Sequence, residues 1–233
     1  MTSGRYPYRY ETHLHISEGS RCAKMSGGEQ IDFYAQRGYT GIFVTNHFWG
    51  NSSCMVDTTN PFAEQIKEFF SFAEGAKERG RELGLDVFCG LEYTYKGTDF
   101  LIYGFDPEEM AQHHEIPDLK PWEFIDLARE YGALVIHAHP FRLTDWSRVI
   151  RLMPRRVDGY EVKNGCNTEH QNKMAGIFAR KYGLKKFAGS DNHGKLQWQR
   201  ALCGVETTRK VKDEKDFVDI IKSGKYRIFE EEL

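Results

Sequence analysis

The chain has 233 residues, 40% of them hydrophobic and 14% aromatic, which is enough to bury one sizeable core as a single α/β domain over residues 1–233. Its 32 basic and 34 acidic residues are spread along the chain and nearly cancel, to a formal net charge of -2, so no electrostatic footprint for long nucleic acid is present. Five cysteines (Cys22, Cys54, Cys89, Cys166, Cys203) without C-x-x-C spacing suggest neither a disulfide framework nor a zinc knuckle, and no run nears the roughly 18 apolar residues of a membrane span. A soluble, unexported protein of a reducing cytosol is expected, with no membrane partner.

An apolar and aromatic run from Tyr6 ends in Glu11-Thr12-His13-Leu14-His15. As a strand it puts side chains two apart on one face, so His13 and His15 converge. After the polar loop Ser17 to Lys24, Ser26-Gly27-Gly28-Glu29 has the spacing of a capping box and starts a helix to Arg37, which Gly38 ends. Gly41 to Thr45 reads as a buried parallel strand that delivers Asn46-His47 to a loop. Asn60-Pro61 offers a helix start, and the spacing of Phe62, Ile66, Phe69, Phe70 and Phe72 carries one helix towards Leu83.

The next strand, Asp86 to Glu92, extends into Tyr93-Thr94-Tyr95, turns at Lys96-Gly97 and returns through Phe100 to Tyr103 as a hairpin. Pro121 opens a helix ending near Gly132, and Ala133 to Ile136 is a strand that delivers His137 and His139 before Pro140 stops it. An irregular stretch precedes a short strand at Gly159 to Val162 and a helix from about Thr168 to Tyr182. Lys186-Phe187-Ala188 leads into Ser190-Asp191-Asn192-His193. A strand at Ala201 to Val205, a capped helix from Asp213 to Ser223 and a strand from Tyr226 to Phe229 complete the chain.

Strands alternating with helices imply a parallel sheet. His15, His47, Glu92, His139, Asp191 and His193 all fall at the C-terminal ends of expected strands or just beyond, the address at which barrel enzymes build active sites. Imidazoles and carboxylates gathered at one mouth are the donor set of a catalytic zinc, manganese or iron site. The carboxylates Glu92 and Asp191 can bridge ions and offset their charge. Two ions roughly 3.5–4 Å apart suit an in-line displacement at phosphorus, so phosphate-ester hydrolysis is the expected reaction.

These five segments, in this order, resemble the PHP family, named for polymerase and histidinol phosphatase. The resemblance runs from about Tyr8 to His193 and rests on the H-x-H, the T-N-H, the Glu ending the third strand, the H-P and the late D-N-H. It implies a distorted (β/α)7 TIM-like barrel, two or three divalent metal ions and metal-dependent phosphoesterase activity on a small phosphorylated substrate. It further implies that His13, His15, Glu92 and Asp191 hold one ion, that Glu92, Asp99 and His139 hold a second, and that His47 and His193 hold a third. Glu92, Asp191 and His193 become the catalytic residues.

Two positions depart from the family pattern. Asp99 stands where members often have His, a harder ligand that biases the second position towards manganese or iron. The loop from Ser17 to Cys22 lacks the His or Asp that commonly completes the third site, for which Glu18 or Cys22 could substitute. Arg21, Arg142, Lys163 and Asn164 sit in mouth loops as candidates for phosphate oxygens. A continued strand would give His137 the face of His139, which makes it a candidate substrate contact, metal ligand or support for a ligand, and Glu161 could orient a ligand or pair with Arg142. Competing readings are a nuclease or nucleotide phosphoesterase, because PHP domains also occur attached to polymerases, and a non-catalytic regulatory domain.

Overall fold

The computed structural model describes residues 5–49, 51–145, 147–195 and 199–232. Strand β1 (Tyr8–Leu14) pairs in parallel with β2 (Gly41–Val44), and β2 in parallel with β3 (Asp86–Tyr95). The expected hairpin forms because Lys96 and Gly97 both take positive φ, 49° and 75°, the geometry that matches strand twist in a two-residue turn. It pairs β3 antiparallel with β4 (Thr98–Tyr103). Strand β5 (Leu134–His137) runs against β4 and parallel to β6 (Gly159–Asn164), which is parallel to β7 (Lys185–Gly189). β8 (Ala201–Thr207) is antiparallel to β1, and β9 (Tyr226–Glu232) is antiparallel to β8.

The sheet order is β7-β6-β5-β4-β3-β2-β1-β8-β9. One end curls round to β1, since the Asn192 N–H donates to the His13 carbonyl and the His15 N–H to the Asn192 carbonyl, which joins the segment after β7 to β1. The result is a nearly closed, barrel-shaped α/β fold. The sheet is mixed rather than wholly parallel, since β4 and β8 run against the other strands. Each reversal has a local cause: β4 follows a tight turn, and β8 follows β7 through a short connection with no helix among its described residues.

Helix α1 (Gly27–Ala35) starts at the capping box formed by Ser26 and Glu29. The single helix expected from Phe62 to Leu83 is two, α2 (Phe62–Ser71) and α3 (Glu74–Leu83). α2 buries Ile66 and Phe69 beside Phe48 and Phe124, whereas α3 turns Ala76 towards α1, where a Cβ on Gly27 would lie 2.8 Å from that of Ala76. Those two surfaces cannot be met by one straight apolar stripe, so the chain bends at Phe72-Ala73. The remaining helices are α4 (Pro107–Met110), α5 (Pro121–Glu130), α6 (Glu169–Tyr182) and α7 (Glu214–Lys222).

Alternation along the strands splits the core in two. Tyr10, Phe43, Phe88, Leu101, Tyr103, Leu134, Ile136 and Phe187 fill the barrel interior, while Leu91, Tyr93, Phe100, Ile102 and Val135 face outward with the helices. Phe217 of α7 packs on Phe43, Tyr103 and Phe187 and so closes the barrel end opposite the histidines. Among the described residues no helix is long and apolar enough to cross a membrane.

Candidate metal centre

The site begins with a break in β1. Glu11 lies opposite Ile42 and Leu14 opposite Val44, so three steps on β1 face two on β2, a β-bulge. Without it Glu11 would share the face of His13. With it, Glu11 turns outward while His13 and His15 turn into the mouth. Glu11 is fully buried and accepts the otherwise orphaned N–H groups of Thr12 (2.9 Å) and His13 (2.8 Å), the Ser190 N–H (2.9 Å), the Tyr34 hydroxyl (2.8 Å) and the Ser190 hydroxyl. One carboxylate thereby ties the H-x-H segment to the residue before Asp191. Sequence reading assigned Glu11 no role, since strict alternation hides a bulge.

Five strands, β1, β2, β3, β5 and β7, supply these donors on or just beyond them. His13 Nε2 lies 3.4 Å from His15 Nε2, 3.3 Å from Glu92 Oε1 and 3.4 Å from Asp191 Oδ1; His15 Nε2 lies 3.4 Å from Glu92 Oε2 and 3.5 Å from Asp191 Oδ1. Donors around one tetrahedral ion with bonds of about 2.0–2.2 Å stand roughly 3.3–3.6 Å apart, so these five spacings are those of a ligand shell. His139 Nε2 lies 3.0 Å from Glu92 Oε1 on the same side as His13, and the His47 and His193 rings stack on His15 at centroid distances of 4.3 and 4.2 Å. Three donor groups could each hold an ion: His13, His15 and Asp191; His13, Glu92 and His139; and His15, His47 and His193. Glu92 touches members of all three.

Ring orientation is set from behind. His13 Nδ1 is 2.9 Å from Glu161 Oε1 and His193 Nδ1 is 3.0 Å from the Asp191 carbonyl, which in each case holds a proton on Nδ1 and turns Nε2 to the cluster. His139 and Asp191 both take positive φ, 27° and 55°, outside the usual range of residues bearing a Cβ. Their strain is held by the His139 N–H donating to Glu161 Oε2 (2.8 Å) and by Arg142 Nη1 donating to Asp191 Oδ2 (2.6 Å).

Two buried oxygens of this cluster, Glu92 Oε2 and Asp99 Oδ1, have no hydrogen-bond partner among the described residues. Short of a metal, His47 Nδ1 at 2.8 Å is the nearest positive charge to the first. Orphaned buried carboxylate oxygens are costly and call for a cation. Asp99 faces the cluster from β4, with Oδ2 3.8 Å from His139 Nε2 and Oδ1 without a hydrogen-bond partner among the described residues, which is not the placement of a turn former. Burial and the neighbouring Glu92 raise its pKa, which a bound cation would reverse.

Charge is strongly coupled here. Burial alone would push His13 and His47 down, but Asp191, Glu161 and Glu92 around His13, and Glu92 and Cys22 beside His47, hold both well above an ordinary imidazole. Burial would likewise raise Glu92 and Asp191, yet His47 and His13 keep Glu92, and His13 and Arg142 keep Asp191, well below the usual carboxylate range. Burial and the adjacent His193 and His47 leave His15 neutral. Without metal, His13 and His47 are therefore protonated at neutral pH, and an ion must displace those protons, so its affinity should rise with pH. Calorimetric titration of zinc at pH 7, in buffers of different ionisation enthalpy, should show release of about two protons. A heat independent of the buffer would contradict this charge state.

The substrate-contact candidates are placed unequally. Arg142 lines a cavity of about 790 Å³ above the cluster, its Nε, Nη1 and Nη2 donating to Asn167 (2.8 Å), Asp191 (2.6 Å) and Asn164 (2.6 Å) rather than to Glu161. Asn164 is buried beneath it and donates to Glu161, so it supports Arg142 instead of facing the cavity. Lys163 pairs with Glu230 of β9 away from the mouth, and Arg21 is exposed outside the cavity lining. His137 points to the outer face between Phe100 and Tyr160, where burial pushes it down to about 3. Its strand ends there, and the unusual backbone of His139 breaks the alternation that would have joined them. Of the two loop substitutes, Glu18 caps the start of α1 through the Gly27 N–H, whereas Cys22 lines the cavity beside His47 and His193. Burial would raise the Cys22 thiol, but those two rings bring it down to about 6.

The PHP-associated family profile matches residues 169–226. No protein with a curated description matches the chain in sequence. Among solved structures, a two-domain protein from Bacteroides vulgatus ATCC 8482, containing a predicted PHP-like metal-dependent phosphoesterase, is similar over 95% of this chain with a TM-score of 0.61 at 13% identity. The chain spans 64% of the length of that protein. An inferred metal-dependent phosphoesterase from Bifidobacterium adolescentis ATCC 15703 is similar over 91% of this chain and 95% of its own, with a TM-score of 0.56 at 14% identity. PsfC from Pseudomonas syringae PB-5123 is similar over 95% and 91%, with a TM-score of 0.61 at 15% identity. The profile match falls on the closing part of a barrel whose opening strands carry the ordered histidine and carboxylate motifs, and these solved structures share that barrel fold with this chain.

Proposed function

We propose that the protein is a metal-dependent phosphatase acting on a small phosphorylated metabolite, with two or three divalent ions held by His13, His15, His47, Glu92, Asp99, His139, Asp191 and His193. The observation that carries this reading is the set of five donor spacings of 3.3–3.5 Å around His13 and His15, completed by two orphaned carboxylate oxygens. The similar barrels named for metal-dependent phosphoesterases support it. Bound ions would supply a nucleophilic water at neutral pH and charge stabilisation for phosphoryl oxygens. The chain's own residues do the rest. Glu92 and Asp191 offset the ionic charge, Glu161 and Arg142 hold His13 and Asp191 in place, and Arg142 presents guanidinium charge at the cavity wall for the phosphate. A cavity of about 790 Å³ with Lys96, Ser52 and Ser53 at its rim fits a small polar anion rather than a long polymer. The cysteines at this mouth, Cys22 and Cys166, are free thiols, the state that a cytosolic location would preserve.

The test is a panel of phosphomonoesters, phosphodiesters and nucleotides assayed with the protein as purified, after chelation, and after return of zinc, manganese or iron. Turnover of monoesters that chelation abolishes is expected. Preference for diesters or oligonucleotides would favour the nuclease reading, and full metal content without turnover a binding domain.

Asp99 should set metal preference at the second position, because a carboxylate oxygen is a harder ligand than imidazole. Asp99→His is expected to shift the activating metal towards zinc, and Asp99→Ala to weaken binding of one ion. Unchanged metal content and preference in Asp99→Ala would remove Asp99 from the ligand set.

A further inference from the structure

Resting on the multi-metal reading above, we propose that Cys22 is a thiolate ligand to the ion held by His47 and His193. Cys22, His47 and His193 line the same cavity mouth, where the thiol and the two rings are close enough to influence one another's charge. His15, His47 and His193 already form one donor group, so sulfur would complete a set otherwise made only of imidazoles.

The backbone holds the thiol there from both sides. Within the loop the Ser20 N–H donates to the Ile16 carbonyl and the Ala23 N–H to the Ser20 carbonyl, which fixes a turn around Cys22. The Arg21 N–H donates to the Ser53 carbonyl of the segment after His47, and the Lys24 N–H to the carbonyl of His193 itself. The Ser20 hydroxyl lies 3.2 Å from His15 Nδ1 and accepts the His47 N–H at 3.0 Å. Cys22 is thus pinned between the two segments that carry the histidines. The acidic alternative in the same loop is spent elsewhere, since both Glu18 oxygens accept from the Gly27 N–H. A soft sulfur donor would favour zinc over manganese at this position, while the oxygen of Asp99 favours harder ions at another, so the cluster would sort its metals by position.

Cobalt(II) titrated into the metal-free protein separates this inference from the reading beneath it, because visible ligand-field bands report any cobalt in the cluster and a near-ultraviolet sulfur-to-cobalt charge-transfer band reports thiolate ligation alone. The wild-type protein should show both. Cys22→Ser and Cys22→Ala should lose the charge-transfer band and bind one cobalt at least about tenfold more weakly, as expected for loss of a direct ligand. Cys22→Asp should lose the band yet regain that ion and favour manganese there. Cys166→Ser, at the other thiol of the cavity, should keep the band. Ligand-field bands of normal intensity without charge transfer in the wild type would overturn the role of Cys22 and leave the metal centre standing. A charge-transfer band surviving in Cys22→Ser would do the same, and absence of all cobalt bands would overturn both.

Discussion

Glu92→Gln is expected to lower turnover on the order of 10³-fold, equivalent to about 4 kcal/mol of transition-state stabilisation, and to lose at least one ion while the barrel stays folded. The amide keeps the shape of the side chain but removes the negative charge that His13, His15, His47 and His139 all approach within 2.8–3.4 Å. It also places an N–H₂ group where Oε1 or Oε2 must accept or ligate. Metal content, turnover and the circular-dichroism spectrum of the purified variant check the three parts separately. Normal metal content with normal turnover would rule out a bridging role for Glu92.

The second large effect should come from a residue that touches no ion. Glu11→Ala leaves three backbone N–H groups and two hydroxyls around a fully buried position without their acceptor. Breaking such a buried network costs roughly 3–5 kcal/mol, which for a chain of this size lowers Tm by roughly 10 °C. Because the same carboxylate holds the bulge that aims His13 and the residue before Asp191, ion affinity should fall together with stability. Glu11→Gln, which keeps one acceptor oxygen, should be milder on both counts. Thermal melts with and without added zinc measure this, and a Glu11→Ala protein that melts within about 2 °C of the wild type would show that the bulge needs no such anchor.

What could be read from the sequence follows the range of the interactions involved. The positions of His13, His15, His47, Glu92, His139, Asp191 and His193 at strand ends are local facts, carried by short apolar runs, and the structure brings all seven to one mouth. The face of Asp99 was equally local, because the Lys96-Gly97 turn fixes the hairpin register and alternation does the rest. Glu11 was hidden because a bulge shifts alternation by one residue and depends on pairing with β2, 30 residues away. His137 went astray for the same reason, since the strand stops before His139. Lys163 and Arg21 lie close in sequence to the mouth, but tertiary partners decide where such long side chains go, as Glu230 does for Lys163. The break between α2 and α3 likewise reflects two different packing partners, which a continuous helical periodicity from Phe62 to Leu83 cannot reveal.

Anomalous X-ray diffraction from crystals of the purified protein, recorded at the absorption edges of zinc, iron and manganese, tests the central claim most directly. Two or three peaks are predicted in the barrel mouth, one between His13, His15, Glu92 and Asp191 and a second between Glu92, Asp99 and His139, with Glu92 shared. The absence of any peak within bonding distance of His13 and His15 after equilibration with all three metals would contradict the account.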